Sequence, residues 1–295
     1  MRKLPPHLCF SLLLALAVAI GWRVLVATFS LALDNEEYTH ILLILPVSLA
    51  LIFLEWKSVK PLAVPHLGPG LALLAIAGVT GCVGKWGAAN LLHGVDLSLA
   101  MMALVTWCIG SFVLCFGTRV SLRLIFPLCF LFWLVPLPEA ALDRIVVLLQ
   151  QESATATRLL FSTAGVPVRQ DGMFISIPGV TVEVARECSS IRSSLMLLVT
   201  TMVLAHLFLR SIWRKAFLVL AAIPLSVAKN AVRIFTLSML GVHVDIGFLH
   251  GNLHKRGGVV FFILALLAVG LLLWWLGRGE KKALHHLPAG VLPQP

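Results

Sequence analysis

Gly258-Val-Val-Phe-Phe-Ile-Leu-Ala-Leu-Leu-Ala-Val-Gly-Leu-Leu-Leu-Trp-Trp-Leu276 holds no charged, amide or hydroxyl side chain. At about 1.5 Å of rise per helical residue, such a run crosses the roughly 30 Å hydrocarbon layer of a bilayer. Working outward from it, seven further apolar runs of comparable character cover approximately Leu8 to Leu33, Thr39 to Leu54, Leu67 to Gly84, Leu97 to Gly117, Ser121 to Leu137, Ile191 to Leu209 and Ala216 to Leu237. The chain is 59% hydrophobic and only 12% charged, with a mean hydropathy of +0.98. That balance excludes a water-soluble domain and predicts a polytopic membrane protein. Backbone inside hydrocarbon has no water to bond, so the eight spans are expected to be helices. The first run follows Met1-Arg-Lys but is too long for a signal peptide and lacks a small-residue cleavage site, so it is read as a retained span.

The net charge of +10 invites a nucleic-acid reading, which the distribution of charge argues against. Arg2 and Lys3, Lys57 and Lys60, Arg119 and Arg123, Arg210, Arg214 and Lys215, and Arg278, Lys281 and Lys282 all fall in connections on one side of the eight spans. The positive-inside rule makes that side cytoplasmic, with both termini inside. Asp34, Glu36, Glu37, Asp96 and most other acids fall on the opposite side.

One outward connection is long, residues 138–190. Within Glu139 to Thr163, apolar Leu142, Ile145, Val146 and Leu149 alternate with charges, a helical stripe suited to the bilayer surface. From Gly165 to Val184, β-branched residues interrupted by Asp171-Gly172 and Pro178-Gly179 predict a hairpin element of two or three short strands. The expected organisation is therefore all-α apart from this element: helices 1–5 over residues 1–137, the amphipathic helix and β-element over 138–190, helices 6–8 over 191–279, and a cytoplasmic tail over 280–295.

Chemistry is expected where this β-element ends. Of six cysteines, Cys9, Cys82, Cys108, Cys115 and Cys129 lie in or at the ends of apolar runs, whereas Cys188 lies in the polar Glu183-Val-Ala-Arg-Glu-Cys-Ser-Ser-Ile-Arg192. A thiol there can be reached and ionised. Lys229, Asn230 and Arg233 interrupt the outer part of the seventh run. Asn230 and Arg233, three apart, share a helix face. An arginine in a span costs about 2.5–3.5 kcal/mol on insertion scales, so it is expected to face a polar cavity. The last outward turn carries His250 and His254. These two are four apart but lack a third ligand at useful spacing, so no metal and no cofactor are expected. Arg192, four residues after Cys188, is placed to lower the thiol pKa, and Glu183 and Glu187 to orient a histidine or bind substrate.

Glu187-Cys188-Ser-Ser-Ile-Arg-Ser-Ser194, Asn230-x-x-Arg233-Ile234 and His254-x-x-x-Gly258-x-x-x-Phe262 follow in that order, with Cys188 and Arg233 45 positions apart (233−188) and Arg233 and His254 21 apart (254−233). Together with Tyr38-Thr39-His40 ahead of an apolar run, they resemble the exosortase/archaeosortase family. The resemblance is closest over Gly165 to Phe262, and Ser190 stands where members often carry glycine. It implies a membrane cysteine protease or transpeptidase of the bacterial inner membrane with Cys188, Arg233 and His254 as its catalytic residues. The substrates it implies are exported proteins with a C-terminal Pro-Glu-Pro-like motif, transmembrane helix and basic cluster, and the partners are those substrates, membrane lipids and an unidentified acceptor. The rival class is a non-catalytic transporter or exopolysaccharide-export component. A transporter places its polar breaks near mid-membrane in corresponding halves of the chain, whereas here they gather in the C-terminal third on one face.

Overall fold

A computed structural model of the chain describes residues 5–60, 64, 67–84, 94–184, 191–245 and 258–285. The chain forms two compact units, Met1–Leu142 and Asp143–Pro295. It is helical apart from one small sheet, the class expected of the sequence. Among the described residues, six helices are long and apolar enough to cross a membrane, seven if Ile125–Leu134 and Glu139–Thr163 count as one span, and Leu67–Val83 is a shorter apolar helix. All eight apolar runs therefore have a helical counterpart, and the chain is a multi-pass membrane protein.

The first unit holds α1 (Pro6–Asp34), α2 (Ile41–Val59), α3 (Leu67–Val83), α4 (Val95–Phe116), α5 (Thr118–Arg123) and α6 (Ile125–Phe130). Helix α4 is its centre, with 67% of its apolar window buried against 17% for α1. Ala17, Gly21, Val24, Thr28 and Ala32 form the buried stripe of α1, small residues that let helix backbones approach closely where hydrophobicity alone gives no drive to associate. The same device joins α3 to α4. A Cβ on Gly70 would stand 2.6 Å from Leu114 Cα, and one on Gly110 would stand 3.0 Å from Leu73 Cβ. Gly70→Val is therefore expected to destabilise the protein by about 1–3 kcal/mol through overpacking. Gly78→Val on the same helix, with nothing within 4 Å of the added carbon, serves as the control. Equal thermal midpoints of the two variants in detergent would refute the glycine seam.

The fifth run corrects an expectation. Instead of one span from Ser121 to Leu137, the chain breaks after α5, forms α6, tightens into a 3-10 turn at Leu131–Leu134 and becomes extended at Val135. Pro127 is the cause of the first break, because its ring clashes with the carbonyl four residues earlier, that of Arg123, where α5 ends. Pro136 and Pro138 then prevent the helix from resuming. Carbonyls freed by the break cannot be left bare. Tyr38, the chain's only tyrosine, donates its Oη to Leu137 O at 2.8 Å, and Ser98 Oγ donates to Pro136 O at 2.7 Å.

The second unit holds most of α7 (Glu139–Thr163), β1 (Arg169–Asp171), β2 (Phe174–Ile177), β3 (Val180–Glu183), α8 (Ile191–Phe208), α9 (Ile212–His243) and α10 (Gly258–His285). The strands form an antiparallel meander in the order β1-β2-β3, so the expected element of two or three short strands has three. The second turn needs Gly179, whose φ of +93° follows Pro178 as a type II turn requires. Alternation along β2 buries Ile175 and Ile177 against Ala154, Phe161, Val184 and Ile234. The sheet is thereby clamped between α7 and the second half of α9, with Phe161 and Phe235 rings 4.9 Å apart. At the other end of α9, Leu197, Leu209, Leu218, Ala265, Val269 and Leu276 make an apolar three-helix core with α8 and α10. Helix α10 runs on through Glu280 to His285, good helix formers beyond the apolar stretch where a tail was expected.

Candidate functional site

Helix α7 changes character along its buried face. Leu142 and Val146 open the stripe, as expected, but Ile145 is exposed, and the stripe continues through Gln150, Ser153 and Thr157. Three polar side chains at helical spacing on a buried face must find partners, because a buried polar group left unsatisfied costs about 1–3 kcal/mol. Gln150 Nε2 donates to Val184 O at 2.7 Å, fixing the chain at the end of β3. Thr157 Oγ1 donates back to Ser153 O at 2.7 Å, and Ser153 Oγ receives Asn230 Nδ2 at 3.0 Å.

Asn230 is 1% exposed, so the bond to Ser153 sets the rotation of α9 about its axis. Its neighbour Lys229 is 8% exposed and donates its Nζ to Ser193 Oγ in the first turn of α8. Arg233, one turn further along α9, is half-buried. A Cβ built on Gly258, the first residue of α10, would stand 4.0 Å from Arg233 Nη1. The start of α10 thus lies beside the guanidinium, with room for an ordinary contact between them. Helices α7, α8, α9 and α10 converge on one polar patch of α9.

The residues expected to act distribute unevenly over this patch. Arg233 and Asn230 lie in it. Glu183 is the exposed last residue of β3, paired across the sheet with Phe174. Arg192 is exposed at the second position of α8, so Ser193 rather than Arg192 faces Lys229. Cys188, Glu187, His250 and His254 lie outside the described residues. The flanks of those segments are on the page: Val184, held by Gln150, precedes Cys188 by four positions, and Gly258 follows His254 by four.

Ser193, Ser153 and Gln150 are contributors that sequence reasoning did not single out, and Lys229 was given no role beyond interrupting the seventh run. For Lys229 the signal was available, a second cation four residues before Arg233 in an apolar run. For Gln150, Ser153 and Thr157 it was the helical spacing that continues Leu142 and Val146. Ser193 carries no such mark.

Chemically, the patch offers a planar guanidinium beside the N-terminal end of a helix, which favours negative charge. A developing oxyanion or a carboxylate is the group this arrangement receives. Comparison with curated proteins and with solved structures finds no match. A family model described as transmembrane exosortase (Exosortase_EpsH) matches residues 31–271. That stretch takes in most of the chain, from the last turn of α1 through the α9 patch and into α10, and the chain therefore belongs to the transmembrane exosortase family.

Proposed function

We propose that the chain is a membrane cysteine protease or transpeptidase that removes C-terminal sorting signals from exported proteins. Its substrates end in a Pro-Glu-Pro-like motif, a transmembrane helix and a basic cluster, and are engaged on the outer side of the bacterial inner membrane. One observation carries the reading beyond family membership: the start of α10 approaches Arg233 Nη1, and His254 lies four positions before that start. Along the chain, His254 is thus four residues from the helix start that lies beside Arg233.

In this reading the Cys188 thiolate attacks the scissile carbonyl and a C–S bond forms. A free thiol, with a pKa of about 8.5, is mostly protonated near neutrality, so His254 takes its proton. Negative charge then develops on the carbonyl oxygen, and the Arg233 guanidinium receives it. His254 returns the proton to the departing amine as the C–N bond breaks. The thioacyl-enzyme passes to water, making a protease, or to an amine or hydroxyl acceptor, making a transpeptidase. Basic connections on the opposite side of the spans orient the site outward.

Brief incubation of the purified chain with a sorting-signal peptide is expected to leave the acyl fragment on Cys188, visible by denaturing mass spectrometry and discharged by hydroxylamine. Cleavage that proceeds with no adduct on Cys188 at early times would overturn the covalent route.

A further inference from the structure

The mechanism uses Arg233 and leaves Lys229 unexplained. Lys229 lies one turn before Arg233 on α9, in the outer part of an apolar helix, and is 8% exposed. Like charges four apart on a helix repel, and a buried ammonium loses most of its hydration. Among the described residues its hydrogen-bond partner is the neutral Ser193 hydroxyl, and no carboxylate there is placed to offset its charge. A tie between α8 and α9 does not require a charge, since a neutral donor also bonds a serine hydroxyl. Lys229 therefore brings to the patch a charge that its bond to Ser193 does not use.

Resting on the reading of the chain as a cysteine peptidase, we propose that Lys229 is a specificity-determining residue whose ammonium receives a side-chain carboxylate of the peptide substrate. Two of its three N–H donors are left for this after the bond to Ser193. The carboxylate is the anionic group a peptide carries, and a compact ammonium binds it as a point charge without demanding the planar fork that Arg233 brings. The two cations thereby divide the labour: Lys229 registers the acidic residue of the recognition motif, and Arg233 remains for the reacting carbonyl. Because Ser193 lies five positions after Cys188, the same bond ties the recognition point to the helix that leads out of the nucleophile segment.

The test uses the full-length chain in membranes with a reporter ending in a sorting signal, its motif residue either Glu or Gln. Lys229→Met is expected to slow processing of the Glu reporter about 10- to 100-fold, the range of one hydrogen bond to a charged group. The Gln reporter should be slowed as much with the wild-type enzyme, and the two changes together should be no worse than either alone. The thermal midpoint of Lys229→Met should equal or exceed that of the wild type, since an apolar residue replaces a buried charge. Lys229→Gln keeps a donor for Ser193 and provides the same non-additivity readout if Lys229→Met does not accumulate. Equal slowing of both reporters by Lys229→Met overturns the proposal, as does coupling of Lys229 to Glu187 with none to the reporter. Cys188→Ala run in parallel separates the two levels: if it blocks processing while Lys229 and the motif residue act independently, the peptidase reading stands and only the carboxylate subsite falls.

Discussion

Cys188→Ala is expected to lower processing of a co-expressed sorting-signal substrate by roughly 10⁴-fold or more while the protein still accumulates in the membrane. The magnitude follows from the role: without the sulfur there is no acyl-enzyme, and the remaining groups offer only binding and oxyanion stabilisation. Cys188→Ser should be nearly as damaging, because a hydroxyl is far less acidic than a thiol and a site arranged for a thiolate does not ionise it. His254→Ala should lose about 10²–10⁴-fold, the usual contribution of general acid–base catalysis. His250→Ala should retain most activity, since only His254 stands four residues before the start of α10. A nucleophile and its base act as a unit, so the Cys188→Ala/His254→Ala double variant should be no slower than Cys188→Ala. Immunoblots of precursor and mature substrate read all of these. Normal cleavage by Cys188→Ala would eliminate the cysteine enzyme, whereas loss in His250→Ala with full activity in His254→Ala would reassign the base.

The distances over which this protein assembles its site explain what could be read from the chain alone. Apolar runs are local signals, and each of the eight has a helix in the fold. Helix α2 runs through Pro46 and α9 through Pro224 without a break. Pro127 splits its run, and hydropathy, blind to backbone donors, does not distinguish the cases. Strand pairing in the small sheet was legible because its turn residues sit within two positions of the strands they join. Arg233 and Asn230 were legible because polarity stands out against an apolar helix. Their supports were not, because Ser153 lies 77 positions from Asn230 and Ser193 lies 36 from Lys229. A serine in a helix ordinarily bonds its own backbone, as Ser226 does to Ile223 O at 2.8 Å. Nothing local separates such a serine from one that receives a distant donor.

Arg233→Lys is expected to cost about 10²–10³-fold in kcat, the loss typical of removing one oxyanion donor. The substitution keeps the charge, so its effect isolates geometry. Lys229 already places a point charge one turn away on α9, and if positive potential alone stabilised the transition state, a second ammonium at 233 would serve nearly as well. The structure argues for a directional requirement: Asn230, bonded to Ser153 at 3.0 Å, fixes the rotation of α9, and the start of α10 lies beside the guanidinium. A planar fork presents its N–H groups along fixed lines, which a flexible ammonium does not reproduce. Steady-state kinetics on a sorting-signal peptide separates the two roles open to this residue. A fall in kcat with KM nearly unchanged marks an interaction made only in the transition state, and a rise in KM with kcat preserved marks a clamp on a ground-state carboxylate. Near wild-type kcat/KM in Arg233→Lys would show that charge suffices and would remove the guanidinium from the chemical step, leaving Cys188 and His254 to carry it.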